Sequence, residues 1–481
     1  MRFFLLLALA IGSAACLAQA DTALGKGGLK LSTEGFELRM RNAVQFRFTH
    51  HGITAESGGG GQNGANFNNF RVTGARTFLE GHFVSREFQY NLWLSWEGAG
   101  NGFRIEDCYF RWAPLELFNL TVGQERVPAS WEYLVDHEHT GLPERAIADE
   151  AFSQGWGKGV AVSGRLELWQ AAFDAALLTW HVGLYNGVIA SPDGAQGRGT
   201  ITSQGVTVTD QAKTERFQGG FRNSDVALNG DSFSQLVDGQ MMVAARVEFH
   251  PMGEVGRHMV DLGALEDTAA WFFMVGLAAN WFSARVEGTG TFLGNTYYGP
   301  RAGTAPPPPA SGRHRIDASV VHLTADGHFR WIGLSLNWAL HYRRINFSPT
   351  GRLSSLNFAA DKALVHGAED VGLTVDVAYF ILRDELMLGT RFSAVEFDDF
   401  KSRTAGGQQV DGDSFGADSY EYGGGVTWFI RGDNLKLSAD FRVVAQQLPH
   451  GRSKSGALSH TVRISDWRNF HEARLQLQWM F

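Results

Sequence analysis

Phe36–Phe48, FELRMRNAVQFRF, decides the fold. Phe36, Leu38, Met40, Val44, Phe46 and Phe48 alternate with Glu37, Arg39, Arg41, Gln45 and Arg47. Successive strand side chains point to opposite faces, so this segment has one apolar face and one charged face. The same period returns in Phe88–Trp96, in Ile332–Tyr342, in Leu435–Val443 and in the last residues, Ala473–Phe481. In each, an apolar set alternates with a set rich in Arg, Glu, Gln, Ser and Asn.

A soluble sandwich shows the same alternation, and loop lengths separate the two cases. Sixteen strands are read, starting near residues 36, 69, 86, 102, 117, 157, 173, 240, 269, 316, 329, 371, 384, 420, 433 and 470. The odd connections are mostly long: 49–68, 127–156, 187–239, 284–315, 346–370, 398–419 and 447–469, with 98–101 short. The even ones are mostly tight, such as Val84-Ser85, Pro114–Glu116, Asp326-Gly327-His328 and Arg431-Gly432, with 251–268 long. Long loops at one end and short turns at the other mark a transmembrane antiparallel β-barrel, which needs no apolar helix because closure satisfies every backbone group. Aromatics at strand ends (Phe48, Trp96, Trp112, Trp180, Trp281, Tyr342, Trp428, Trp479) suit girdles at the two lipid interfaces. An even strand count returns Phe481 to the periplasmic side, where a terminal aromatic serves as an assembly signal.

Composition agrees. Charged residues make up 19% of the 481 and the net charge is −8, without the basic excess of a nucleic-acid binder. Two cysteines, Cys16 and Cys108, cannot build a disulfide framework or a multi-cysteine metal site. Residues 1–20 combine Arg2, an apolar run from Phe3 to Ile11 and a terminal Ala18-Gln19-Ala20, the pattern of a secretory signal peptide cut near Ala20. The barrel domain is then 21–481, expected in a Gram-negative outer membrane with lipid as its partner.

Several segments resemble the phosphate-selective porin O and P family. They are Val122-Gly123-Gln124, Val127-Pro128, Pro143-Glu144-Arg145, Ala151-Phe152 and Gly157–Gly164, followed by His181–Gly187 (HVGLYNG), Met242–Pro251 and the hairpin Gly424–Val443. The resemblance implies a sixteen-stranded, trimeric outer-membrane porin whose third loop folds inward to narrow the pore. It also implies passage of inorganic anions, phosphate among them. A general or carbohydrate-conducting porin is the alternative, supported by Trp93 and Trp331 read as inward stacking platforms.

No catalytic motif is legible: His137-Glu138-His139 is not H-E-x-x-H, and neither G-x-S-x-G nor a phosphate loop occurs. Gly155–Gly159 lacks phosphate-loop spacing and reads as a strand start. The acidic run Asp411–Asp418 puts Phe415 and Tyr422 where calcium ligands should stand. No metal or cofactor is expected.

If the apolar positions face lipid, their alternates face water. Those alternates include Arg39, Arg41, Arg47, Arg246, Arg343, Arg391, Lys436, Arg442 and Arg474, against Glu37, Glu87, Glu97, Glu248, Asp376, Asp440 and Glu472. Basic rows favour anion passage, unless the arginines only pair with carboxylates on neighbouring strands. The third loop, 127–156, holds Glu132, Asp136, Glu138, Glu144, Asp149 and Glu150 against Arg145. Those acids oppose anions unless they turn into the barrel wall.

Overall fold

The computed structural model describes residues 21–25, 28–55, 66–96, 103–153, 155–170, 175–186, 200–203, 206–209, 241–253, 271–288, 314–347, 363–364, 368–396, 401–403, 409–411, 419–447 and 467–481. Sixteen strands form the barrel. They are β1 (Phe36–Ala55), β2 (Asn66–Phe83), β3 (Ser85–Trp96), β4 (Phe103–Leu115), β5 (Phe118–Arg126), β6 (Trp156–Gln170), β7 (Ala175–Asn186) and β8 (Met241–His250). The second half is β9 (Trp271–Gly288), β10 (His314–Trp331), β11 (Leu334–Phe347), β12 (Ala368–Leu382), β13 (Leu386–Glu396), β14 (Ser419–Asp433), β15 (Leu435–Gln447) and β16 (Trp467–Met480). Each pairs antiparallel with the next. The ring shuts where β16 pairs with β1, from Arg468↔Ala55 to Met480↔Ala43. Backbone hydrogen bonds in both directions between Asn42 and Phe481, at 2.8 and 2.9 Å, finish the seam.

The burial pattern is inverted relative to a soluble protein. Phe46, Leu277, Leu340, Leu388, Phe441 and Leu475 are exposed on the outer face, whereas Gln45, Arg47, Arg343, Arg442 and Gln478 are buried inside. An apolar outer band is what lipid stabilises and water does not. Exposed Trp96, Trp112 and Trp479 sit near strand ends on that face, as the girdle reading expects, whereas exposed Trp281 and Trp428 lie further inside β9 and β14.

Several boundaries differ from the sequence reading. The turn between β10 and β11 is Ile332–Gly333, not Asp326–His328, and Asp326 and His328 are buried inward on β10. Gly327 is there for packing: it pairs with Trp338, and a Cβ on it would come within 2.5 Å of the indole Nε1. The shift also turns Trp331 outward, 48% exposed, so it cannot be a lumen platform. β1 runs on to Ala55, shortening the first long loop. An additional hairpin, Asp21–Gly25 with Gly28–Thr33, extends the sheet by pairing Leu29–Thr33 with Phe36–Met40. Gly155–Trp156 opens β6 as expected. Residues 1–20, Glu97, and most of the loops 187–239 and 284–315 lie outside the described residues, as do 412–418 of the acidic run.

One glycine set explains a sequence motif. Tyr185 is fully buried, and a Cβ on Gly183 or Gly157 would come within 2.3 or 2.7 Å of its ring. In HVGLYNG, then, Gly183 makes room for the ring two residues on. The hydroxyl donates to Glu125 at 2.9 Å and lies 2.7 Å from His181 Nε2.

Candidate functional site

The connection between β5 and β6, residues 127–155, is pinched at its base by Val127 N donating to Gly155 O at 3.0 Å. It carries two short helices, α1 (Trp131–Leu134) and α2 (Ile147–Phe152), with a 3-10 turn at His137–His139 between them. Its atoms contact β1, β2, β8 to β11 and β13 to β16. A loop rooted between β5 and β6 can touch that much of the ring only from inside the barrel. The third loop therefore lies in the lumen.

Side chains on the wall hold it. Asn280 donates to Pro128 O at 3.1 Å, and Arg246 reaches Ala129 O while paired with Glu248 (2.7 Å) and Asp326 (2.9 Å). Asp326 in turn accepts from Trp131 N at the start of α1. Glu421 accepts from Ile147 N at 3.0 Å and Ser393 Oγ from Ala148 N at 3.1 Å at the start of α2. Carboxylates at these ends satisfy backbone donors that a helix leaves unpaired. Aromatic contacts seat the helices: Trp131 stacks on His328 (5.7 Å), and Phe152 packs on both His341 (5.1 Å) and His322 (5.6 Å), whose rings are 5.6 Å from each other.

Seven of the nine wall cations read from the sequence meet this loop directly. Arg391 pairs with Asp376 (2.7 Å) and with Glu132 (2.6 Å). Lys436 donates to Glu138 O (2.6 Å) and Thr140 O (3.0 Å). Arg343 pairs with Asp370 (2.6 Å) and reaches Ala151 O at 3.5 Å. Arg442 and Arg474 pair with Glu144 at 2.7 and 2.8 Å, and Arg47 donates to the same carboxylate. Arg246 completes the seven. Arg39 and Arg41 do not join them: they pair with Glu37 (2.7 Å) and Glu80 (3.3 Å), and Arg39 is 52% exposed. Arg41 also lies over Phe78, 5.2 Å from the ring centroid.

The pairing alternative describes most of these cations, and Arg47, Arg391, Arg442 and Arg474 pair with carboxylates of the loop as well. Four of the six loop acids turn into the wall: Glu132 to Arg391, Glu138 to Arg76 (2.8 Å), Glu144 to the three arginines, and Asp136 to Arg126 (3.0 Å). Arg145, the loop's one cation, turns inward on the loop itself. It is 4% exposed, donating to Glu132 O (3.2 Å), to Val135 O and toward His137 Nε2 (2.9 Å), with its guanidinium over Tyr133. It is an internal clamp of the loop. Trp93 does face inward, but only 9% exposed, packed with Ala43, Phe78 and Met480.

Ionisation follows from burial and neighbours. Burial pushes the Glu132 carboxyl well above its ordinary range, with Arg391 opposing. Burial would also raise Asp149, but the hydrogen bond and charge of His341 and hydrogen bonds from Glu132 and Ser130 outweigh it, leaving Asp149 ionised. Glu132 Oε2 and Asp149 Oδ2 are buried and meet no other donor among the described residues, as a proton shared between the two carboxyls requires. Burial, then Arg145 and Arg76, hold His137 well below its ordinary value, so it is neutral and accepts from Arg145. Burial opposes the Glu138 charge, but Arg76 outweighs it and keeps the carboxyl low.

The sequence reading missed Asp326, Glu421, Arg76 and the His322–His341 pair. All four positions sit on inward faces. Assigning the strand faces of β2, β10 and β14 residue by residue was the signal that could have found them.

A closed sixteen-strand barrel with a loop docked in its lumen is the architecture of an outer-membrane porin channel. Residues 57–250 match the family model described as "Phosphate-selective porin O and P", which shows the family resemblance read from the sequence. No curated protein matches the chain significantly. Among solved structures, the anion-selective porin from Comamonas acidovorans is similar at 9% identity and TM-score 0.47, over 93% of this chain and 100% of that one. OmpT of Vibrio cholerae, in its trimer form, gives 8% identity and TM-score 0.46 over 93% and 100%. The outer-membrane channel DcaP of Acinetobacter baumannii gives 11% and 0.45 over 94% and 99%. The strand register, not these likenesses, establishes the barrel.

Proposed function

We propose that the chain forms a water-filled channel for passive diffusion of small solutes, with a preference for inorganic anions such as phosphate. One observation carries the reading: four of the loop's six acids, Glu132, Asp136, Glu138 and Glu144, are spent on cations of the wall, which reduces the negative field the loop presents to a passing ion. Glu132 keeps a proton, Glu138 is matched by Arg76, and Glu144 is surrounded by three guanidiniums. Off the loop, Arg41 on β1 is matched by Glu80, but Arg39 shares its one carboxylate, Glu37, with Lys30, which leaves an excess positive charge in the exposed part of the lumen, where a narrow passage screens it less than open water does.

The proposal includes a homotrimer, after the family implication, and export through the signal segment cut near Ala20. The carbohydrate-conducting alternative loses its two platforms, Trp331 by facing out and Trp93 by being packed. Phosphate titrated into a chloride current across a planar bilayer tests the preference. Progressive block is expected, and current indifferent to phosphate would remove it from the account.

A further inference from the structure

Three guanidiniums from three strands converge on one loop carboxylate. Arg442 Nη2 and Arg474 Nη1 reach Glu144 Oε2 at 2.7 and 2.8 Å, and Arg47 Nη1 reaches Oε1. The strands concerned, β15, β16 and β1, are neighbours across the seam. The three side chains are 2, 3 and 5% exposed, whereas Glu144 is 19% exposed, so the cluster meets water through Glu144.

Each arginine is also held from behind. Arg442 Nε donates to Glu472 at 2.6 Å and its Nη1 to Glu421 at 3.2 Å; Arg474 Nε donates to Asp440 at 2.8 Å. Arg47 Nε donates to Gln476 and its Nη2 to Pro143 O, both at 2.8 Å. These contacts fix the guanidinium planes independently of the Glu144 side chain. They also settle the charge. Glu472, Glu421 and Asp440 offset the three arginines, and Arg71, opposite Arg47 on the neighbouring strand, leaves one positive charge for Glu144 to meet. Without it, donors on Arg47 and Arg474 point into the lumen with no acceptor, which is costly for a buried charged group.

We propose that Arg47, Arg442 and Arg474 form a carboxylate-binding subsite whose resident occupant is the loop's own Glu144, and that a solute bearing a monoanionic carboxylate competes for it. The inference rests on the anion-preferring reading and names a solute class within it. A planar carboxylate matches the paired N–H donors of guanidiniums. A single charge matches a wall left with one positive charge to meet, and a dianion exceeds it.

The test compares the full-length wild type with Glu144→Ala in planar bilayers at pH 7, adding sodium acetate against acetamide at constant chloride. In Glu144→Ala the vacated cradle should take acetate, and half-block should need roughly tenfold less acetate than in wild type, about one charge-assisted hydrogen bond's worth. Acetamide should not block, and adding Arg474→Gln should abolish the gain. Equal acetate block in both proteins, or block by acetamide, would overturn the subsite. Should Glu144→Ala yield no channels, Glu144→Gln keeps the side-chain volume and is subject to the same comparison. Cation preference in the wild type would sink the anion reading while leaving an acetate difference intact; equal block in an anion-preferring wild type would sink the subsite alone.

Discussion

Arg391 Nη2 donates to Glu132 Oε1 at 2.6 Å, joining β13 to the start of a loop 259 positions earlier in the chain. The same guanidinium binds Asp376 through Nε and Nη2 at 2.7 Å, so one buried cation serves a wall carboxylate and a loop carboxyl together. Because Asp376 already supplies the charge, Glu132 is free to keep its proton and share it with Asp149. This link shows how the loop is held: by buried groups matched in protonation as well as in position.

Glu132→Gln should therefore be nearly silent. Its amide accepts from Arg391 and donates to Asp149 as the protonated acid does. Arg391→Ala, by contrast, strands Asp376 without its cation, and breaking such a buried pair costs about 3–5 kcal/mol. Limited trypsin digestion should leave the glutamine variant intact and cut the alanine variant within 127–155. Equal cleavage of the two would disprove the protonated assignment.

Acid should loosen the loop. The depressed His137 contributes stability that is fully present above its ordinary 6.5 and is lost as pH falls through its lower folded value. The depressed Glu138 acts in the same direction below 4.5. Single-channel conductance should thus be steady near neutrality and become larger or noisier as pH drops below about 6.5. Replacing His137 with Asn should flatten the upper part of that profile; an unchanged profile would clear His137 of the role.

Gly183→Ala would place a Cβ within 2.3 Å of the Tyr185 ring. Overpacking of this kind costs about 1–3 kcal/mol. The variant should unfold at lower temperature in detergent, and Tyr185→Leu in the same chain should recover much of the loss. If the glycine change alone were harmless, the ring would not be seated as described.

Loss of Phe481 removes the two backbone hydrogen bonds with Asn42 at the seam and an aromatic ring packed, tilted, 4.8 Å from that of Trp479. Deleting it should lower outer-membrane yield much more than it changes the conductance of whatever inserts. Normal yield would mean that closure and assembly do not depend on this residue.

The barrel was legible because lipid on one side and water on the other impose a strict two-residue period on each strand. Phe36–Phe48 and Ala473–Phe481 display it, and they form the two sides of the seam. Turn positions were less legible. Asp326-Gly327-His328 has the composition of a turn, yet Gly327 serves Trp338 across the strand pair, a demand no local window contains. The partners of the loop were hidden for a related reason. Arg47 and Glu144 are far apart in sequence and meet only after sixteen strands have closed. Their chemical types were readable, but which acid meets which arginine is set by the ring.

The reversal potential of single channels in a KCl gradient tests the central claim most directly, measured for the wild type and for Arg39→Ala/Arg41→Ala. The wild type should show discrete conductance steps with a reversal potential displaced toward chloride, and the double variant should move toward potassium. Absence of steps, or a potassium-preferring wild type, would contradict the account.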